Sequence, residues 1–344
     1  MIRQRDNRSV RMSGVSIILP TFNRARFLPE AFDSIRRQSF ADWELIVVDD
    51  GSTDDTEAVM AEWMPRLDGR ARYVKQANRG AYGARNTGLD RVTREYVAFF
   101  DSDDLWLPHH LFNCVAALDA TPDVDWVYGA CRCIDPNGVV VQGTTFDLPT
   151  GPRPFRQLKV RANAALHVID DPDVITCQLT HGLYAGLQNS VIRQHIFEGH
   201  RFYEDSRVVD DVMFLVRALV RGARIGYLND VHVIYRIHGD NSSGSSTASN
   251  RSSLARIRTE SIVGLERLER DLPLKDRERA ALRRTLGRHY FWDLGYVCYW
   301  EGGERSKAFE AFKRGLKLNP TDARMWKTYA LSLLRSWWHP QSAQ

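Results

Sequence analysis

Three stretches decide how this chain folds: VSIILPTFNR at residues 15–24, ELIVVDDGSTDDT at 44–56 and YVAFFDSDD at 96–104. Each begins as a short run of consecutive apolar residues, rich in β-branched and aromatic types, as a strand buried on both faces requires. Each then breaks into Pro, Gly, Ser, Thr, Asn or Asp, the residues that turn a chain. Between the runs the period becomes helical. Leu28, Ala31, Phe32 and Ile35 form one stripe, with Pro29 tolerable in the first turn. Ser52, Thr53 and Asp54 are capping candidates for a second helix over 54–63. A third strand is expected at 71–75, a third helix at 81–89, a fourth helix at 109–118 behind Pro108, and a fifth strand at 124–129. The alternation predicts an α/β fold: a Rossmann-like, mostly parallel sheet with helices on both faces. Such sheets bind ligands at the carboxyl ends of their strands, which directs attention to loops 20–23, 49–52, 76–80 and 101–104.

The chain has 344 residues, 43% apolar and 26% charged, enough for one full domain and a smaller appendage. That balance excludes global disorder, a collagen-like fibre and a disulfide scaffold. No apolar stretch approaches the ~18–20 residues of a membrane span. The five cysteines (Cys114, Cys131, Cys133, Cys177 and Cys298) are scattered and odd in number, and residues 1–13 lack an apolar leader. The expected setting is therefore a reducing cytoplasm. Cys131-Arg-Cys133 reads as alternating strand residues, because no Cys/His pair at zinc spacing accompanies it. A G-x-G-x-x-G turn after the first strand, a phosphate-binding P-loop, H-E-x-x-H and G-x-S-x-G are all missing.

Carboxylate chemistry remains. Asp101-Ser102-Asp103-Asp104 directly follows an apolar strand, which delivers these oxygens to the sheet edge. Such ligands suit Mg²⁺ or Mn²⁺, completed by the phosphates of a substrate. Asp49 and Asp50 end the second strand, where a carboxylate can accept hydrogen bonds from a nucleobase edge or a ribose. Arg79 and Arg85 flank the start of a helix, where a guanidinium can hold phosphate. Asp210 and Asp211 open a strongly apolar helix; the helix dipole favours carboxylates there, so capping and catalysis both explain them. Adjacent like charges raise one pKa, which suits a general base.

VSIILPTFNR, ELIVVDDGSTDDT, GARNTGL and YVAFFDSDD, in that order and spacing, resemble the family-2 nucleotide-sugar glycosyltransferases with the GT-A fold, over about residues 14–240. The resemblance implies that Pro20, Thr21, Asp50 and Arg85 line a nucleotide pocket, and Asn23, Asp49, Arg79 and Ser102 share those loops. It implies that Asp101 and Asp103 are the metal and ribose ligands of a D-x-D element, with Asp103 the direct metal ligand. It places the general base of an inverting transfer at Asp211, with Asp210 beside it in VVDDVMFLVRAL. In RIHGDNSS, Arg236 is matched to diphosphate and His238 to the metal. The expected reaction moves a sugar from a nucleotide-diphospho-sugar to an acceptor hydroxyl, in cell-surface glycan or polysaccharide assembly. It is expected to be non-processive, since no Q-x-x-R-W segment is present. A sugar-phosphate nucleotidyltransferase is the enzymatic alternative, although its glycine-rich first loop is missing. A non-catalytic helical scaffold is the alternative from another class.

The organisation read from sequence is a basic tail over 1–13 expected to be disordered, a catalytic domain over 14–240, a Gly/Ser-rich linker over 241–253 and a helical region over 254–344. A tetratricopeptide-like unit is expected at about 291–320, built on Leu294, Gly295, Ala308, Phe312 and Pro320. Charge is uneven: residues 251–344 carry +8 and residues 1–250 carry −4. No nucleic-acid module accompanies the basic tail, so nucleic acid is not an expected partner. A basic helical end with Trp337 and Trp338 fits peripheral contact with the inner, anionic face of a membrane, where a lipid-linked acceptor would be presented.

Overall fold

The computed structural model describes residues 14–206, 208–239 and 251–338, with Trp337 and Trp338 described by backbone alone. The basic segment 1–13, residues 241–250 of the serine-rich stretch and the side chains of Trp337 and Trp338 lie outside the described residues. The chain divides into two compact units: residues 14–171, 184–205 and 222–237 form one, and residues 172–183, 206–221 and 238 onward form the other.

The first unit holds all the sheet. Its strands are β1 (Val15–Thr21), β2 (Trp43–Asp49), β3 (Ala71–Lys75), β4 (Tyr96–Phe99), β5 (Leu105–Trp106), β6 (Trp126–Ile134), β7 (Val140–Gln142), the ribbon β8 (Asp147–Leu148) and β9 (Gly151–Pro152), β10 (Val160–Asn163), β11 (Leu166–Ile169), β12 (Ser190–Arg193) and β13 (Ile225–Arg236). Eleven of them make one mixed sheet in the order β10-β11-β13-β6-β12-β4-β1-β2-β3, with β5 paired to β13 and β7 to β6. Pairings among β1, β2, β3 and β4 are parallel, as the sequence pattern predicts, and so is β6 with β13. β12 is inserted antiparallel between β4 and β6. Its residues come from 190–193, a stretch with no clear periodicity, so its place in the sheet was not legible.

The helices of this unit are α1 (Leu28–Arg36), α2 (Thr56–Trp63), α3 (Gly80–Leu89) and α4 (His110–Asp119). Every residue of β1 and β2 is buried, as continuous apolar strands covered on both faces require. Phe32 and Ile35 of α1, Met60 and Trp63 of α2 and Leu111, Cys114 and Leu118 of α4 join one apolar core with Val15, Ile17, Leu19 and Leu45. On α3, Gly88 permits the closest approach to the sheet. A Cβ there would stand 2.4 Å from Cγ2 of Ile18, so only glycine lets this helix lie on β1.

Glu44, at the amino-terminal edge of the sheet, is 6% exposed and ties three neighbours together. Its Oε1 accepts from Ser16 Oγ at 2.7 Å, Thr93 N at 2.9 Å and Thr93 Oγ1 at 2.7 Å, and its Oε2 from Arg72 Nη2 at 2.9 Å. Burial pushes its pKa up, but the hydrogen bonds from Ser16 and Thr93 and the Arg72 charge outweigh it, holding the group below the usual 4.5.

The second unit is helical: α5 (Val174–Thr180), α6 (Asp210–Val220), α7 (Arg251–Asp271), α8 (Asp276–Arg288), a π-helical segment His289–Trp300, α9 (Arg305–Leu318) and α10 (Ala323–Trp338). Phe291, Trp300, Ala308, Phe312, Leu316 and Met325 form its terminal core. α8 and α9 meet at two glycines: a Cβ on Gly315 would stand 2.8 Å from the Gly287 carbonyl. No helix among the described residues is long and apolar enough to cross a membrane.

Glu44→Gln is expected to destabilise the protein by about 1–3 kcal/mol at pH 7, because buried partners lose their anion. The folded-state pKa is depressed, so this stabilisation is present above 4.5 and is lost as pH falls through the lower folded value. Urea melts of wild type and variant should therefore converge below pH 4.5; a gap that widens on acidification contradicts the assignment.

Candidate functional site

The parallel strands place four loops on one edge of the first unit. At the end of β1, Pro20 and Thr21 are buried, and the Thr21 hydroxyl has no hydrogen-bond partner among the described residues. The Thr21 carbonyl accepts from Asp50 N at 2.8 Å, which locks the β1 and β2 ends in register. Asn23, in the left-handed region at φ 53°, clamps the two loops together. Its N–H donates to Ser52 Oγ at 2.9 Å, and its Oδ1 accepts from Thr53 N at 2.8 Å.

Asp49 and Asp50 take different roles. Asp49 is fully buried, accepting from Ser52 N at 2.8 Å and from the Tyr73 hydroxyl at 2.5 Å. Both of its oxygens are thus spent on shaping the loop, and Gly51 at φ 83° makes the turn that follows. Asp50 Oδ1 accepts from Gln76 Nε2 at 2.7 Å and Arg79 N at 2.8 Å, so this carboxylate gathers the start of the third loop.

The side chain of Arg79 points to Glu204, donating from Nε at 3.0 Å and Nη2 at 2.5 Å. The Arg79 hydrogen bond holds Glu204 below its ordinary pKa against partial burial, with help from Asn86 Nδ2 at 3.1 Å. Arg85 is 8% exposed, and its Nη2 donates to Asp101 Oδ1 at 2.7 Å.

The fourth loop concentrates negative charge. Asp101 and Asp103 are partly exposed, Ser102 is buried and Asp104 is 1% exposed. Arg24 Nε stands 3.8 Å from Asp103 Oδ2. At the end of β13, Arg236 donates its backbone N–H to Asp104 Oδ1 at 3.1 Å and its Nε to the Asp103 carbonyl; its Nη1 reaches Glu30. Asp104 Oδ2 is buried with no hydrogen-bond partner among the described residues. Burial first, and the Asp101 and Asp103 charges second, push the Asp104 carboxyl well above the usual range. An oxygen-only donor set with surplus negative charge fits a hard divalent cation. The three carboxylates do not close into a compact ligand cage, because Asp101 is turned to Arg85 and Asp103 to Arg24. Such a cation would take one or two of them and fill its remaining positions from phosphate or water.

Asp210, Asp211 and His238 belong to the helical unit. Asp210 is fully buried, 3.5 Å from the buried Arg217 Nη2, while Asp211 is partly exposed in the same first turn of α6. Val209 before them sits at φ 58°, a left-handed conformation that costs a β-branched residue about 1–3 kcal/mol. His238 is partly buried. Arg24, Gln76, Glu204 and the special position of Asp104 escaped the sequence reading. Arg24 and Asp104 lie inside the quoted motifs, whereas Glu204 stands 125 residues from Arg79 with no local signal.

Residues 16–171 match the family model described as Glycosyl transferase family 2. One relative is UDP-Glc:alpha-D-GlcNAc-diphosphoundecaprenol beta-1,3-glucosyltransferase WfgD of Escherichia coli, 33% identical over 127 residues. The match covers 37% of this chain and 49% of that protein, so the chain spans about half the length of the curated relative. Among solved structures, S. aureus TarS 1–349 in complex with UDP-GlcNAc superposes with a TM-score of 0.61 at 19% identity, over 89% of this chain and 81% of that one. Mannosyltransferase PcManGT from Pyrobaculum calidifontis, in complex with GDP-Man and Mn²⁺, superposes at 0.55 and 20% identity over 96% and 87%. At these identities the two structures show the shared GT-A fold.

Asp104→Ala is expected to cost about 1–3 kcal/mol, because Arg236 N loses its buried acceptor. Asp104→Asn keeps that acceptor and removes a crowded charge, so it should cost less than the alanine variant in urea melts. Equal losses would show that the acceptor is not what matters.

Proposed function

We propose that the chain, whose residues 16–171 match the glycosyl transferase family 2 model, transfers a sugar from a nucleotide-diphospho-sugar to an acceptor hydroxyl, with inversion and in a non-processive manner. The observation that carries this reading is the convergence of Thr21, Asp50, Arg85 and Asp101–Asp104 at one sheet edge.

In this reading Pro20, Thr21, Asn23 and Asp50 form the nucleoside side of the pocket. The orphaned Thr21 hydroxyl supplies a free hydrogen-bonding group there, and Asp49 acts only by holding the loop. Asp101 and Asp103, with His238, are the proposed cation ligands. A bound Mn²⁺ or Mg²⁺ would neutralise the charge that develops on the diphosphate leaving group. Arg85, bonded to the Asp101 carboxylate, and Arg236, bonded to the Asp103 carbonyl and the Glu30 carboxylate, would turn to phosphate oxygens of the donor. Arg79 with its Glu204 partner, and Ser102, complete the rim.

Asp211 is the proposed general base, taking the proton from the acceptor hydroxyl as it attacks the anomeric carbon from the face opposite the diphosphate. Asp210, engaged with Arg217, is the supporting member of the pair, and the strained Val209 sets where both carboxylates begin. A single displacement needs one base and no enzyme nucleophile.

For the rest of the chain we propose a glycan or lipid-linked acceptor, as the Escherichia coli relative's name specifies for that enzyme, in cell-surface glycan assembly. The same reading keeps the chain at the cytoplasmic face of a membrane, touched by the basic helical region 254–344. The helix pair over 291–320 serves there as a tetratricopeptide-like unit. A catalytic body over 14–240 and a joining stretch over 241–253 complete the proposed organisation.

Incubating the protein with a panel of nucleotide sugars, acceptor extracts and Mn²⁺ or Mg²⁺ should release free nucleoside diphosphate. Release of pyrophosphate would identify a nucleotidyltransferase instead, and neither product would identify a scaffold. Asp211→Asn is expected to lower transfer by at least about 10²-fold while donor binding in a thermal-shift assay persists. Substantial residual transfer would remove Asp211 from the base role.

A further inference from the structure

Three side chains with no part in the proposed transfer meet in the core of the first unit. His110 and Cys114 are one turn apart on α4, and His232 projects from β13; all three are 0% exposed. Their ligand atoms form a small triangle: His110 Nδ1 to His232 Nδ1 is 3.1 Å, and Cys114 Sγ lies 3.8 Å from the first and 3.7 Å from the second. Among the described residues this is the one compact trio of such atoms.

We propose that His110, Cys114 and His232 bind a thiophilic d¹⁰ cation, monovalent copper in preference to zinc, as a buried structural site. A point in the plane of the three atoms lies about 2.1 Å from each, close to the metal–nitrogen distance of about 2.0–2.1 Å and the metal–sulfur distance of about 2.3 Å. His110 Nδ1 and His232 Nδ1 stand at hydrogen-bond distance from each other, and a bound ion would replace that ring–ring bond.

The surroundings are built for this arrangement. Gly129 on β6 leaves the space that the His232 ring fills, since a Cβ there would stand 2.3 Å from the ring's Cγ.

Charge separates the two candidate ions. When the metal–sulfur bond forms, the thiol proton leaves to solvent and the sulfur becomes a thiolate. With Cu⁺ the site is then neutral. With Zn²⁺ it keeps a net positive charge in a fully buried setting. The ion would tie α4 to β13, the elements that flank the Asp101–Asp104 loop and end in Arg236.

The test uses the full chain, expressed in copper- or zinc-supplemented cultures and also loaded anaerobically with Cu⁺ or Zn²⁺ after purification. Loosely held ions are removed by gel filtration, and bound metal is counted by elemental analysis. About one equivalent of copper is expected in wild type, with X-ray absorption showing two nitrogen and one sulfur neighbours. Cys114→Ala should retain less than about a tenth of it, with circular dichroism unchanged. Should that variant fail to fold, Cys114→Ser keeps the side-chain size and is expected to lose the sulfur signature. Absence of retained metal in wild type under both regimes overturns the site, as does undiminished copper in the folded cysteine variants. Preference for zinc overturns the copper assignment.

Discussion

The candidate site depends on β1 being sandwiched in parallel between β2 and β4. Parallel strands end on the same edge, so the register that sets Thr21 beside Asp49 and Ile18 beside Phe99 brings three polar loops to one edge. That packing demands a helix that can lie flat on β1, and Gly88 supplies it by removing the only atom that would strike Ile18. Arg85 lies one turn before Gly88 on the same helix, so the contact that seats α3 also delivers the guanidinium to Asp101. Fold and site are thus coupled through one glycine.

Crowding carboxylates at a sheet edge is unfavourable unless something opposes their repulsion, and here arginines do so. Arg85 meets Asp101, Arg24 meets Asp103, and the backbone of Arg236 meets Asp104. None of these partners comes from the strand that carries the aspartates; they arrive from the β1 loop, from α3 and from the end of β13. The charge balance is therefore assembled only when the whole unit is folded. These contacts offset part of the loop's charge and leave a negative surplus, which a bound cation would reduce.

Apart from the two-residue β5, the strands and helices up to residue 119 were legible because their periodicity and turns agree. Asp49 shows the limit of that reading. Sequence places it beside Asp50, but only the fold reveals that Tyr73 and Ser52 occupy it from within while Asp50 faces the next loop. β12 and Glu204 were not legible at all. The strand is four residues long and antiparallel to its neighbours, and the glutamate acts on a residue far away in the chain. The His110–Cys114–His232 trio is hidden for the same reason. Two members share a helical turn, but the third arrives 118 residues later on a strand.

The two cation chemistries of the first unit are kept apart by donor type as much as by position. The Asp101–Asp104 loop offers oxygen donors that carry negative charge, which would favour a hard divalent ion that retains water or phosphate. The interior trio offers imidazole nitrogen and sulfur with no exposure, which would favour a soft ion stripped of water. A soft ion gains nothing from the aspartates that water does not already give it. A hard divalent ion entering the core would lose its hydration and leave its charge uncompensated. If both proposed sites hold metal, each would therefore disfavour the other's ion, so that a structural metal in the core would not compete with the exchangeable one proposed for catalysis.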